Sequence, residues 1–322
     1  MRGNCGTVGR VFAADAPANM AIRAIAAKQG RLSARMQAIL PHIGSSRKSV
    51  GALHMNAHSR QNEPVSIVCI KWGTKFPPYY VNRLYAGVKR FLDRRFRFVC
   101  YTEHPEGIRS EVEIYPLPEV PFEDRMVEAM TTGKRRGAWR KVTVMRSGEA
   151  KLSGPTLILD LDVVITSPLG PLFDHAPGKV CMGRDWLERR RRRVGGHGSV
   201  CRFDPHLHSY LYEDFASDIE ASIAWKGEQK YTSMTAHKRG DLEYFPDGWI
   251  CSFKRQSIPV FPFNFLSTPK LPGDCRVMCF HGTPKMEEAL TGDCPKLRYR
   301  TRPAPWLRKL WLDENEQDWM PA

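Results

Sequence analysis

Apolar and polar residues follow two different rhythms along this chain, and the change of rhythm sets its organisation. The run VSIVCI at 65–70 is apolar almost without interruption, the pattern of a strand covered on both faces. Beyond Lys71 and the Pro77-Pro78 pair, Tyr80, Val81, Leu84, Val88, Phe91 and Leu92 recur at helical spacing, so a helix should pack back on that strand. Residues 97–102 (RFVCYT) and 112–115 give a second and third strand, and a helix is expected over 139–145. TLIL at 156–159 is a fourth β run, broken by Asp160-Leu161-Asp162 and resumed as Val163-Val164-Ile165. Further strands fall near 180–183, 199–203, 242–245 and 277–280. Strands alternating with helices at this pace make an α/β domain with a mostly parallel sheet and right-handed crossovers.

The first 62 residues lack this rhythm. They are rich in Ala, Arg, Ser and Gly, and hold nine Lys or Arg against one acid, Asp15. Residues 20–40 can be drawn as a basic amphipathic helix, and an Arg-rich, acid-poor start resembles a transit sequence. A disordered arm, or codons upstream of a start at Met55, is the preferred reading, with no catalytic part. The organisation expected is therefore a basic, disordered extension over 1–62, a catalytic domain over 63–300, and an aromatic and basic tail over 301–322.

Composition narrows the class. Of 322 residues, 42% are hydrophobic, which excludes a wholly disordered or fibrous chain. No run of about 18 uncharged apolar residues exists, so a spanning helix is excluded as well. The formal charge is +15, but the extension supplies +8 of it, leaving only +7 for the folded part. Nine cysteines, an odd number and several inside apolar runs, read as reduced, mostly buried thiols of a cytoplasmic protein. Cys275, Cys279 and His281 have half the spacing of a zinc site but lack a second pair.

In open parallel sheets, ligands bind beyond the carboxyl ends of the strands. Two polar clusters fall there: residues 71–74 after the first strand, and Asp160 with Asp162 after the fourth. No P-loop pattern occurs, and no dinucleotide-type glycine motif follows a strand; Gly195-Gly196-His197-Gly198 precedes one. Two carboxylates set two residues apart in an apolar run need cations or strong donors. A hard divalent ion bridging to phosphate oxygens meets that need. The plainer reading has Asp160 capping a turn and Asp162 pairing with an arginine.

Five stretches in order carry a resemblance: KWGTKFPPYYVNRLYAGVKRFL from Lys71, FVCYTEHPEGI, AWRKVTVMR, LILDLDVVI and CFHGTPK. Over about 65–290 the chain resembles bacterial glycosyltransferases, and is similar in particular to GT-A-type enzymes related to glycosyltransferase family 8. The resemblance implies a GT-A fold, a nucleotide-sugar donor with UDP preferred, and a divalent ion, Mn²⁺ or Mg²⁺. It implies that Asp160 touches the ribose, and that Asp160, Asp162 and His281 hold the metal. Gly282 would let backbone approach the diphosphate and Lys285 would neutralise it; taken alone, His281 reads as a core histidine. Many relatives have a longer His-x-x-Gly-x-x-Lys-Pro-Trp element where this chain reads His-Gly-Thr-Pro-Lys-Met. Lys141 matches a family lysine near the donor, though by itself it reads as a solvated helix face.

Lys71, Trp72, Gly73, Tyr80 and Asn82 are candidates for the base and ribose, with Tyr80 equally a core residue of its helix. Gly227-Glu228-Gln229 resembles the family's Gly-Asp-Gln element beside the transferred sugar. In a retaining enzyme Gln229 would stabilise the oxocarbenium-like centre; in an inverting one Glu228, Asp185 or Asp247 would deprotonate the acceptor. Asp185 could equally bind sugar hydroxyls, and the stereochemistry stays open.

Two basic features bear on partners. Arg189 to Arg193 are five consecutive arginines, read first as a solvated loop, then as a contact for an acidic acceptor or membrane. Nucleic acid ranks last, since no interleaved aromatics or recognition motif accompany them. Trp306, Leu307, Leu310 and Trp311 share a helical face that suits either a peripheral foot on an anionic membrane or packing on the domain. The expected activity is a cytoplasmic, metal-dependent transfer of a sugar to a cell-envelope glycan or lipid-linked acceptor, peripheral at the inner face of the plasma membrane. A sugar-1-phosphate nucleotidyltransferase and a non-catalytic basic binding protein are the rivals.

Overall fold

A computed structural model describes residues 64–132, 139–225 and 227–316. The readings made for 1–62 lie outside these residues. Among the described residues ten strands form two sheets: β1 (Val65–Lys71), β2 (Phe96–Thr102), β3 (Glu113–Tyr115), β4 (Thr156–Leu159), β5 (Val163–Ile165), β6 (Val180–Arg184), β7 (Gly196–Phe203), β8 (Leu242–Tyr244), β9 (Ile250–Ser252) and β10 (Val277–Cys279). The larger sheet runs β3-β2-β1-β4-β7-β6-β8, and the smaller β5-β10-β9. In the larger sheet β7 alone runs against its neighbours, antiparallel to both β4 and β6, while the other pairs are parallel. The expected α/β class and mostly parallel central sheet, flanked by helices, are what the chain forms.

The apolar runs arise because both faces of the sheet are covered. Ile67 and Cys69 of β1, Phe98 and Cys100 of β2, and Leu157 and Leu159 of β4 face one core. Val68, Val99, Tyr101 and Ile158 point the other way into a second. The helix Tyr79–Phe91 buries Tyr80, Val81, Leu84 and Val88, the stripe its spacing prescribes. Eight cysteines among the described residues are free and buried.

Three details depart from the sequence reading. The expected helix over 139–145 is a single turn, Arg140–Thr143. The strand expected at 199–203 begins earlier, at Gly196, so the glycine-rich segment is part of β7. Residues 163–165 leave the main sheet and pair with β10 in the smaller one. In the tail, Leu307 and Trp311 of the helix Pro305–Trp311 are buried in the first core, so this face packs on the domain and does not form a free foot. No helix among the described residues is long and apolar enough to cross a membrane.

Candidate functional site at the carboxyl edge of the sheet

Five chain segments reach one edge. β1 delivers Lys71, β4 leads into Asp160, β6 into Asp185, and β10 into His281. β7 runs the other way, so its first residues, Gly196-His197-Gly198, arrive among those carboxyl ends. The backbone N–H of Asp160 donates to Ser199 O at 3.0 Å, locking the two segments together.

Lys141 sits at the centre of this edge. Its Nζ lies 2.6 Å from Asp160 Oδ1 and 4.0 Å from Glu228 Oε2, and donates to Gly198 O at 2.7 Å. The lysine is 7% exposed and Glu228 4%, so the expected solvated lysine is a buried cation shared between two carboxylates. Burial works against charge on Lys141, but Asp160 and Glu228 overcome it and raise its pKa. Burial likewise opposes charge on Asp160, and the Lys141 ammonium with a bond to Ser199 carries the carboxyl below its usual value. Glu228 is pushed up to about 7 by burial, with Lys141 opposing and Asp160 adding to the rise. Its Oε1 accepts from Thr232 at 3.2 Å.

Asp162 is held by Lys285, whose Nζ also donates to Phe280 O at 3.3 Å. Burial and the nearby Asp160 push Asp162 up, against the pull of Lys285. The partner is thus a lysine and not the arginine of the plainer reading. His281 follows β10, and Phe280 N–H donates to Asp162 O at 2.8 Å, so the two segments are adjacent. The His281 ring, however, stacks on Trp186 with centroids 5.0 Å apart, and Nε2 meets Ser252 Oγ at 2.7 Å. Burial, then His197, lowers His281 to about 3, and burial lowers His197 to about 4.

The three-ligand grip expected of Asp160, Asp162 and His281 is therefore not formed. Among the described residues no three His, Cys, Asp or Glu side chains come together to hold a metal ion. The reason is local: a lysine holds each aspartate, and Trp186 and Ser252 fix the imidazole elsewhere. As arranged, these residues do not fit a divalent ion.

Gln229 bridges outward. Its Oε1 accepts from Gly198 N at 3.1 Å and its Nε2 donates to Asp185 Oδ2 at 3.4 Å. The other Asp185 oxygen accepts from the N–H groups of Leu187 and Glu188, both at 2.9 Å, capping the helix Trp186–Arg190. Gly198 packs closely here: a Cβ would come within 3.1 Å of both Glu228 Oε2 and Gln229 Cβ. Asp185, Trp186, His197, Gln229 and His281 line a cavity of about 1230 Å³, together with Lys254, Arg255 and a wall from 258–261 and 297–299. A smaller cleft of about 390 Å³ adjoins it through Asp185, Leu187 and Gln229.

Other expected site residues do not line the cavity. Lys71 is buried and donates to His104 O at 3.2 Å, Trp72 is exposed, and Gly73 N donates to Glu103 Oε1 at 2.8 Å. Tyr80 takes its core alternative: its hydroxyl donates to Glu287 Oε2 at 2.8 Å and its ring packs on Phe76 and Trp311. Asn82 spends both ends of its amide on the 107–109 loop, at 2.9 Å to Gly107 O and 3.0 Å from Arg109 N. Asp247 is exposed and paired with Arg189 at 2.8 Å. Gly282 has φ +77°, and a Cβ there would meet Lys254 Nζ at 3.1 Å. Arg189 to Arg193 are all exposed, as the plainer reading has it.

Sequence reading missed His197, Trp186, Lys254 and Arg255. A histidine between glycines at a strand start, and a Lys-Arg pair directly after a strand and one phenylalanine, are the signals that could have found them.

No family model matches the chain, and no curated protein does. Among solved structures it is similar to the galactosyltransferase LgtC in complex with donor and acceptor sugar analogues. That match has 11% identity and a TM-score of 0.48, covering 79% of this chain and 99% of LgtC. An active-site mutant of LgtC gives 12% identity and 0.47, over 78% and 99%. Mouse xyloside xylosyltransferase 1, in its apo form, gives 12% and 0.45, over 69% and 99%.

Proposed function

We propose that this chain is a GT-A-type glycosyltransferase moving a sugar from a nucleotide-diphosphate donor, UDP for preference, to a glycan or lipid-linked acceptor of the cell envelope. The observation that carries the reading is the cavity wall, to which Gln229 and Asp185 contribute together with Lys254 and Arg255. Cations beside hydrogen-bonding amide and carboxylate groups suit a ligand that is anionic at one end and rich in hydroxyls at the other.

In this mechanism Lys254 and Arg255 bind the diphosphate and oppose the charge that builds on it as the sugar C1–O bond breaks. Gln229, oriented by Gly198 N–H and Asp185, presents its amide to the sugar. Asp185 keeps one oxygen on its helix cap and turns the other towards the same place. Glu228, sealed behind this wall, holds Lys141 charged and is a positioning residue. Asp247 is engaged by Arg189 and takes no part in this mechanism.

Metal dependence, which the resemblance implies, belongs to this proposal only as something to measure. An ion would have to take Asp160 from Lys141 and Asp162 from Lys285. The test is a panel of nucleotide sugars scored for nucleoside diphosphate release, in chelator and with Mn²⁺. Release from one donor, lost in Gln229→Ala with folding intact, supports the reading. Pyrophosphate release from a nucleoside triphosphate, or no turnover and no nucleotide binding, would overturn it.

A further inference from the structure

One stretch of the domain is built inside out. In Pro259-Val260-Phe261-Pro262-Phe263-Asn264-Phe265-Leu266 the only polar side chain, Asn264, is 0% exposed. Around it Val260 is 81% exposed, Phe263 65% and Leu266 67%, with Phe261 and Phe265 also exposed. Leu297, at 61%, joins them from the next segment.

The arrangement is held firmly. Asn264 Nδ2 donates to Leu297 O at 3.1 Å and to Arg300 O at 2.6 Å, tying the two segments together. Lys270 N donates to Ser257 O at 3.2 Å and closes the base of the loop, and Trp306 Nε1 anchors Pro269 O at 3.0 Å. An asparagine fixed inward by two backbone carbonyls forces its apolar neighbours outward. A contiguous apolar patch of this kind marks a surface that is covered in use.

What covers it follows from charge. Residues 253–273 contain Lys254, Arg255 and Lys270 and no acid. Residues 294–302 contain Lys296, Arg298, Arg300 and Arg302, again with no acid. Arg300 pairs with Asp293, whereas no carboxylate lies within ion-pairing distance of Lys296 or Arg298 among the described residues. Apolar side chains framed by cations of one sign would repel a second copy of the same face. They match a surface that is apolar below and anionic on top.

We propose that the 258–266 loop, with Leu297 and its frame of Lys270, Lys296 and Arg298, is the face by which this protein sits on an anionic lipid bilayer. The phenylalanine and leucine side chains enter the headgroup boundary while the cations meet lipid phosphates and carboxylates. Pro259, Val260, Phe261, Leu297 and Arg298 also wall the large cavity, so docking sets its mouth at the membrane surface. A lipid-linked acceptor would then reach the cavity without leaving the bilayer. That last point rests on the proposed reaction; the docking itself does not.

The full chain is tested by co-sedimentation with phosphatidylcholine vesicles, with and without about one-third phosphatidylglycerol. Binding is expected on the anionic vesicles and to be several-fold weaker on neutral ones. The variant F261S/F263S/L266S should lose at least about tenfold of that binding with an unchanged melting temperature. Amide exchange over 258–270 should slow in the parent when vesicles are added. Equal sedimentation of parent and variant, exchange unaltered by vesicles, or self-association of the parent that the variant abolishes would each overturn the proposal. None of these readouts needs a sugar donor, so failure of the reaction assignment leaves the result intact.

Discussion

The two lysine–aspartate contacts at the sheet edge are alike in chemistry and unlike in setting. Lys141 is sealed between Asp160 and Glu228, with its side chain 8% exposed. Lys285 grips Asp162 from a strand-end turn and is 23% exposed. The first lysine serves two carboxylates, the buried Glu228 and the half-buried Asp160, whereas the second serves Asp162 alone, which is also half-buried. The comparison teaches that the inner lysine is fixed by the buried Glu228 as well as by an aspartate, whereas the outer one is fixed by an aspartate alone.

Removing the inner cation should break that contrast most severely. Lys141→Met leaves Asp160 and Glu228 facing each other, and we expect about 3–5 kcal/mol less stability by urea unfolding. An unchanged midpoint would mean that Glu228 reaches water once the lysine is gone.

Next in size is the pH response of the inner site. Glu228 holds its proton more tightly in the fold, up to about 7, than in the unfolded chain. Its contribution is present in acid and lost as pH rises from the unfolded carboxylate value through 7. Glu228→Gln should therefore gain on the parent by up to about 3 kcal/mol between about pH 5 and 8. His197 and His281 work the opposite way, since burial holds both neutral. Their stabilisation is complete above the unfolded histidine value and is lost as pH falls towards their folded values near 4 and 3. The double variant H197N/H281N should flatten the acid limb of the parent's melting curve.

The outer pair responds less. Lys285→Met should cost about 1 kcal/mol of stability, and it frees Asp162. Mn²⁺ titrated into the donor-free parent should bind weakly, and at least about tenfold more tightly to this variant, by calorimetry. Equal affinities would mean that Lys285 does not compete for the carboxylate. Smallest of all is the exposed Arg189–Asp247 pair, where Arg189→Ala should change stability by less than about 0.5 kcal/mol.

How much of this was legible depends on what each residue faces. β1 and β4 stood out because both sides of them are covered, which writes burial directly into the order of residues. Asp160 and Asp162 stood out for the converse reason, as charges inside such a run. Lys141 was hidden, since a lysine on one turn of helix reads the same whether it meets water or two carboxylates. Tyr80 and Asn82 sit after the first strand as a nucleotide contact would, but their partners, Glu287 and Arg109, are distant in sequence. The direction of the 258–266 loop was invisible too, because a string of phenylalanines and prolines says how apolar a segment is and nothing about which way it faces.

The reversed course of β7 has one more consequence. Strand ends present carbonyl oxygens, whereas a strand beginning presents N–H groups, and this edge receives both. The short segment that feeds β7 is exposed from Arg191 to Arg193 and tied down at Gly195, whose N–H donates to the Tyr244 hydroxyl at 3.0 Å and whose carbonyl accepts from Asp185 N at 3.0 Å. A one-residue insertion there could be absorbed outside the fold, or could slide His197 and Gly198 along by one position and turn a donor away from Gln229. The adjustable part of this molecule is accordingly the exposed turn of arginines at the rim of the smaller cleft.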